Sequence, residues 1–216
     1  MLNASTIALV GATPSYNRPM SSFYHEGNRE LQEQFDSVRL ADRLEERMVQ
    51  SELDETDKAF IESQFMFFIA TADEHGRPNC SYKGGAPGFV RVPDPCTIVF
   101  PDYNGNGMFM SLGNTLVNPH VGLLFIDFQK QDRFRVNGEA SLHTDDPFLD
   151  EYPGAKLIVR VKVREAFPNC PRYIPKMKVE EMSRFIPKLN KPTPIPEWKR
   201  SEWACDVLPA DDPARP

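Results

Sequence analysis

No C-x-x-C pair, no H-E-x-x-H and no H-x-H occurs in the 216 residues. The four cysteines (Cys80, Cys96, Cys170, Cys205) and four histidines (His25, His75, His120, His143) are scattered along the chain. That dispersal argues against a metal site, which needs clustered ligands, and against the dense disulfide framework of a small secreted domain. No apolar run approaches the roughly 20 residues that cross a bilayer. Ile7 to Ala12 is too short, and lacks the basic flank, for a signal segment. Basic charge is also in deficit: 25 Lys+Arg stand against 31 Asp+Glu, a formal charge of -6. Nucleic-acid binding needs clustered cations and is not expected, though a few local cations suffice for one phosphate. A cytoplasmic, soluble chain with neither nucleic-acid nor membrane partners is the expectation.

What the chain does have is core material and proline. Hydrophobic residues make up 40% and aromatics 11%, enough for a packed interior. Proline reaches 20 residues, with a concentration beyond Pro187. Residues 1–22 carry no periodicity and read as a mobile leader. From Tyr24 to about Met48 the pattern is helical, with Leu40, Leu44 and Met48 in an i+4 stripe among charged neighbours. A further helix is expected from Asp54 to Ser63, capped by Asp54 with Asp57 three residues on.

At Phe65 the period changes to that of strands. Phe65 to Thr71, a His75-Gly76 turn and Pro78 to Lys83 read as a hairpin. Further strands are expected over Gly88–Val92, Cys96–Phe100, His120–Phe128, Arg133–His143 and Lys156–Glu165, separated by Pro, Asp and Asn-Gly turns. Six or so strands with short connections favour an antiparallel barrel or sandwich over a βαβ sheet. A short helix over Val179–Ile186 and an extended, proline-rich tail carrying Trp198 and Trp203 complete the reading. The tail's tryptophans are unusual for a disordered segment and fit packing on a neighbouring surface. The expected parts are thus 1–22 leader, 23–64 helical extension, 65–176 barrel and 177–216 helix and tail.

Phosphate loops and nucleophile elbows are absent, and Gly105-Asn106-Gly107 lacks the βαβ setting of a dinucleotide turn. Three polar clusters remain. In the first, Ser81 and Lys83 share a strand face by the period of two, and Gly84-Gly85 leave room for a flat ligand against backbone; a hairpin end with a solvated lysine is the plainer alternative. The second, Pro101-Asp102-Tyr103-Asn104-Gly105-Asn106-Gly107 with Leu112-Gly113-Asn114, offers amides beside a strand end, or simple left-handed turns. The third, Arg133-Phe134-Arg135, places two arginines on one strand face, exposed unless a phosphate or a partner subunit claims one.

The ordered segments F-F-I-A-T-A, G-R-P-N, S-Y-K-G-G, F-P-D-Y-N-G-N-G, L-G-N, N-P-H-V-G-L-L-F, R-V-N-G-E-A and N-C-P-R-Y-I resemble the pyridoxamine 5'-phosphate oxidase-like flavoproteins, in their longer flavin-nucleotide-binding branch. Residues 23–42 resemble that branch's helical extension. The resemblance implies a mainly β (α+β) fold, an antiparallel six-stranded split β-barrel with N-terminal helices and an irregular proline-rich tail. It implies a homodimer holding FMN in two clefts between subunits. It puts Ser81, Tyr82, Lys83 and Gly84 on the strand lining the flavin, Pro101 and Asp102 on the next contacting strand, and Asn106 and Asn114 in the phosphate-holding connection. Arg133 and Arg172 would reach the flavin from the second subunit, and Lys83 and these arginines would gather at one phosphate.

Two departures stand out. The family's adjacent Ser-Arg/Lys phosphate pair is replaced by Asn-Gly-Asn-Gly. Its C-terminal R-x-H substrate motif is missing, since Arg172 is followed by Tyr173-Ile174, so pyridoxamine phosphate itself is not the expected substrate. The function implied is an FMN-dependent oxidoreductase of an unidentified small molecule, with NAD(P)H as a candidate electron donor and no catalytic residue identified. The alternative is a non-catalytic FMN-binding, storage or stress-response module. Haem or a deazaflavin in place of FMN finds little support in the single histidines.

Overall fold

A computed structural model describes residues 23–215; the expected leader over 1–22 lies outside the described residues. The chain divides into two compact units, one ending at Arg47 and one beginning at Met48.

The described part of the first unit is a pair of helices. The helical stretch expected as one run is broken: α1 spans Glu26–Gln34 and α2 Val38–Met48. Between them Asp36 takes a left-handed backbone (φ 50°), which a short polar side chain tolerates and a helix interior does not. Arg29 of α1 ties the helices together, pairing with Asp42 at 2.8 Å and Glu45 at 3.6 Å and lying over the Tyr24 ring. The Leu40–Leu44 stripe is exposed, and Ala41 is the buried residue of α2.

The second unit starts with α3 (Glu55–Ser63), whose cap matches expectation. The Asp54 carboxylate accepts from the Thr56 and Asp57 backbone N–H groups at 2.8 Å, and Asp57 accepts in return from the Asp54 N–H. Seven strands follow rather than six: β1 (Met66–Ala72), β2 (Pro78–Gly84), β3 (Arg91–Asp94), β4 (Thr97–Tyr103), β5 (His120–Asp127), β6 (Asp132–His143) and β7 (Ala155–Pro168). One helix, α4 (Met110–Val117), interrupts them. The expected strand over Gly88–Val92 begins later, because Gly88, Phe89 and Val90 form a turn and only Arg91 onward pairs with β4.

The sheet is antiparallel throughout, in the order β2-β1-β5-β6-β7-β4-β3. Strands β1 and β4 are four ladder steps apart, roughly 19 Å in a flat sheet. Yet the Phe67 ring of β1 lies 4.9 Å from Phe100 of β4, and 5.1 Å from Phe125 of β5. The sheet therefore curls on itself, a split barrel closed over a core of Phe67, Ile69, Ile98, Phe100, Leu123, Phe125, Val136 and Val159, all at most 1% exposed. A bulge between Asn137 and Gly138 helps the bend. Only glycine fits at 138, since a Cβ there would stand 2.2 Å from the Lys162 carbonyl oxygen.

The segment after the barrel departs from expectation twice. Val179–Ile186 is not a helix: residues 179–183 have no regular structure and 184–186 form a turn, and Pro187 pushes the residue before it from helical backbone. The tail, expected to be extended, is folded. Glu197–Arg200 forms a 3-10 turn, Trp198 stacks on Trp203 with centroids 5.9 Å apart, and Ala204 and Leu208 are buried.

Candidate functional site

Alternation on β2 aims Asn79, Ser81 and Lys83 to one side and Cys80 and Tyr82 to the other. The inward set faces the end of β4, the loop 104–109, the start of α4 and the folded tail. Together they enclose a cleft of about 740 Å³. Its lining includes Ser81, Tyr82, Lys83, Gly84, Pro101, Asp102 and Asn106 of the expected residues. Asn114, Arg133 and Arg172 do not line it. The Asn114 amide instead donates to Thr71 Oγ1 at 3.0 Å, bracing α4 against β1. Arg133 and Arg172 both act on Cys170, whose exposed thiol is held below its usual range first by hydrogen bonding from Arg172 and last by the charge of Arg133. Within one chain, then, Lys83 and the two arginines occupy different places.

The cleft's polar wall is a hydroxyl relay. Ser111 Oγ donates to Ser81 Oγ at 2.8 Å, and Ser81 donates to Asn79 Oδ1 at 3.2 Å. Ser111, on the first turn of α4, is buried, so helix and strand are fixed to each other at this point. Lys83 is not the solvated lysine of the plainer reading: it is 20% exposed and 3.5 Å from Asp102 Oδ1. Burial pushes the Asp102 carboxyl up from its ordinary value, while Lys83, and then Lys156, pull it back. Asp102 is therefore paired with Lys83 and also feels the charge of Lys156.

The glycines serve packing rather than an open floor. A Cβ on Gly85 would stand 2.4 Å from Phe89 Cγ, and one on Gly84 would meet the Tyr82 ring at 2.7 Å. Close approach at Gly85 seats Phe89 as an apolar wall of the cleft, stacked on Phe67 at 5.9 Å. Asn106 accepts from the Met108 N–H at 3.0 Å and shapes the loop. Phe109 then enters α4 from a left-handed backbone (φ 48°), an uncommon conformation for a bulky residue.

The opposite wall belongs to the tail. Lys199 Nζ donates to Asp212 Oδ2 and to Asn104 Oδ1, both at 2.6 Å, and Lys156 pairs with Asp211 at 2.8 Å. Trp198, Leu208 and Pro209 add apolar surface beside them. Lys156, Lys199, Ser111 and the tail's acids were not singled out from sequence. Lys156 opens β7 where that strand pairs with the Asp102–Tyr103 end of β4, a neighbourhood set by strands more than 50 residues apart. Lys199 had no local signal, because its partner Asn104 lies 95 residues away.

Among the described residues no group of three His, Cys, Asp or Glu side chains could hold a metal, and no helix is long and apolar enough to cross a membrane. The family is shown by comparison: residues 53–183 match the model of the pyridoxamine 5'-phosphate oxidase family, and the chain belongs to it. Among solved structures, HupZ from Group A Streptococcus is 21% identical, covering 54% of this chain and 93% of its own, with a TM-score of 0.44. An FMN-binding protein from Syntrophomonas wolfei is 15% identical over 65% and 97%, TM-score 0.42. HutZ, a heme storage protein from Vibrio cholerae, is 17% identical over 52% and 89%, TM-score 0.36. No curated protein matches the chain.

Proposed function

We propose that this chain is a flavoprotein that binds FMN in the cleft between β2, β4, α4 and the tail, and that it acts as an FMN-dependent oxidoreductase on a small molecule. The observation that carries the reading is the chemistry of that cleft. Its volume lies within the range of small-molecule sites, roughly 300–1,000 Å³. Phe89, Pro101, Leu112 and Trp198 offer apolar and aromatic surface to a flat ring, while the Ser81–Ser111 relay and Asn106 offer hydroxyl and amide contacts. Lys83 and Lys156 supply cations for a phosphate. The donor set therefore fits FMN.

In this reading Lys83 binds the phosphate end, Ser81 and Ser111 orient polar ring edges, and Tyr82, Gly84, Pro101 and Asp102 complete the wall. Asn106 shapes the loop that closes it. When bound, FMN supplies one- and two-electron redox chemistry; the protein binds, orients and shields it. Arg133 and Arg172 are proposed to act across a homodimer. Met108, Phe109, Met110, Leu116 and Val117 form an exposed apolar run along α4 and its entry, a surface that a second copy of the chain would cover.

One observation favours the second reading, a non-catalytic FMN-binding module. The lysines and aspartates lining the cleft are already paired, with one another or with Asp211, leaving none of them poised for proton transfer. Anaerobic titration of the FMN-loaded protein with NADH or NADPH, followed by air, separates the two. Bleaching and recovery of the flavin spectrum supports the oxidoreductase; a flavin that binds but is never reduced supports the module.

A further inference from the structure

Three lysines line the cleft, and each already has a carboxylate partner. The pairs differ sharply in burial. Lys199 and Asp212 are both 4% exposed, and Lys199 is held further by Asn104. Lys83 and Asp102 are 20% and 16% exposed. Lys156 and Asp211 are 43% and 69% exposed. A buried pair cannot change partners without stranding a charge away from water, whereas an exposed pair exchanges at little cost. Of the three cations, Lys156 is the one most easily given up.

Lys156 is also placed to receive an anion. It lines the same cleft as Lys83, and its charge reaches Asp102, the carboxylate that Lys83 pairs with. Three cations against three carboxylates leave the cleft with no surplus positive charge. Displacing Asp211 would free one cation while Lys199, buried between Asp212 and Asn104, still ties the tail to the loop after β4.

We propose that Lys156 is an anion-binding residue of this cleft and that Asp211 is its built-in counter-ion, exchanged for the phosphate of a phosphate-monoester ligand. A phosphate monoester brings nearly two charges and three acceptor oxygens where Asp211 brings one charge, so the exchange runs toward the ligand. The tail thus acts as an intramolecular competitor that sets how tightly the site holds a phosphorylated ligand. The proposal deepens the flavin reading, on which it rests only for the choice of FMN as probe.

The test compares FMN with riboflavin, which lacks the phosphate, by quenching of flavin fluorescence in the wild type, Asp211→Asn, Lys156→Gln and the double variant. Inorganic phosphate, followed by phosphorus NMR line width, is the flavin-independent probe. Asp211→Asn should tighten FMN about twofold to fivefold, the span of an exposed ion pair, and leave riboflavin unchanged. Lys156→Gln should weaken FMN and abolish the gain in the double variant. Equal effects on both flavins, or none on either, overturn the proposal. If the wild type binds neither flavin, the flavin reading falls, and the phosphate titration decides alone: line broadening that responds to both substitutions supports the exchange, and no response overturns it. Tryptophan emission should stay as in the wild type, and an Asp211→Asn chain whose tail undocks contradicts the division between exchangeable and anchoring pairs.

Discussion

Lys199 and Asp212 face each other at 2.6 Å with both side chains 4% exposed, and the same ammonium reaches Asn104 in the loop after β4. Through Asn104 this ammonium ties the C-terminal tail to the barrel, alongside the Lys156–Asp211 pair, and helps make the tail a wall of the cleft. Removing one partner of a buried pair leaves the other charge stranded, at a cost of about 3–5 kcal/mol. Lys199→Met should therefore release residues 196–212 while the barrel remains folded. Hydrogen exchange checks it: tail amides should lose protection while β5, β6 and β7 keep theirs.

The same pair dictates a response to acid. Burial alone would raise the Asp212 carboxyl, but hydrogen bonds from Lys199 and the Ala214 N–H, with the charge of Lys199, outweigh it and hold Asp212 below its ordinary value of 3.8. A carboxylate whose folded-state pKa is depressed stabilises the folded state above its unfolded value and loses that contribution as pH falls through the folded value. Tail docking should be complete at neutral pH and should fail only below about pH 4. Tryptophan emission reports it through the Trp198–Trp203 stack, and Lys199→Met should lack the step. Undocking centred between pH 5 and 8 would contradict the pairing.

Gly84 and Gly85 are adjacent in sequence but should respond differently to a methyl group. At Gly85 the new Cβ would press on Phe89 Cγ at 2.4 Å, the root of a ring fixed against Phe67. Gly85→Ala should cost about 1–3 kcal/mol by overpacking. At Gly84 the obstacle is the far end of the Tyr82 ring, 59% exposed and able to swing away. Gly84→Ala should cost less than Gly85→Ala, and urea unfolding of both variants measures the difference.

The barrel was legible because its signals are local. The alternation of Leu157, Val159, Val161 and Val163, the Asp54 cap and the His75-Gly76 turn are each set by neighbours within a few residues, and each has its counterpart in the structure. Period two also placed Ser81 and Lys83 on one face, where both line the cleft. What escaped depends on distant partners. Lys199 owes its burial to Asn104 and Asp212, and a proline-rich stretch gives no periodicity from which to read that contact. The break at Asp36 and the unformed helix over Val179–Ile186 differ from expectation because backbone chemistry decides them: a left-handed residue in the first and a proline after the second.

The account turns on whether the β2–β4 cleft binds FMN through Lys83, and a fluorescence titration of the purified protein with FMN tests it most directly. The wild type should turn yellow and quench flavin emission at saturation, and Lys83→Ala should weaken FMN by about tenfold, as loss of a charge-assisted phosphate contact implies. A colourless wild-type protein that ignores added FMN, or a Lys83→Ala variant that binds FMN as tightly as the wild type, would contradict it.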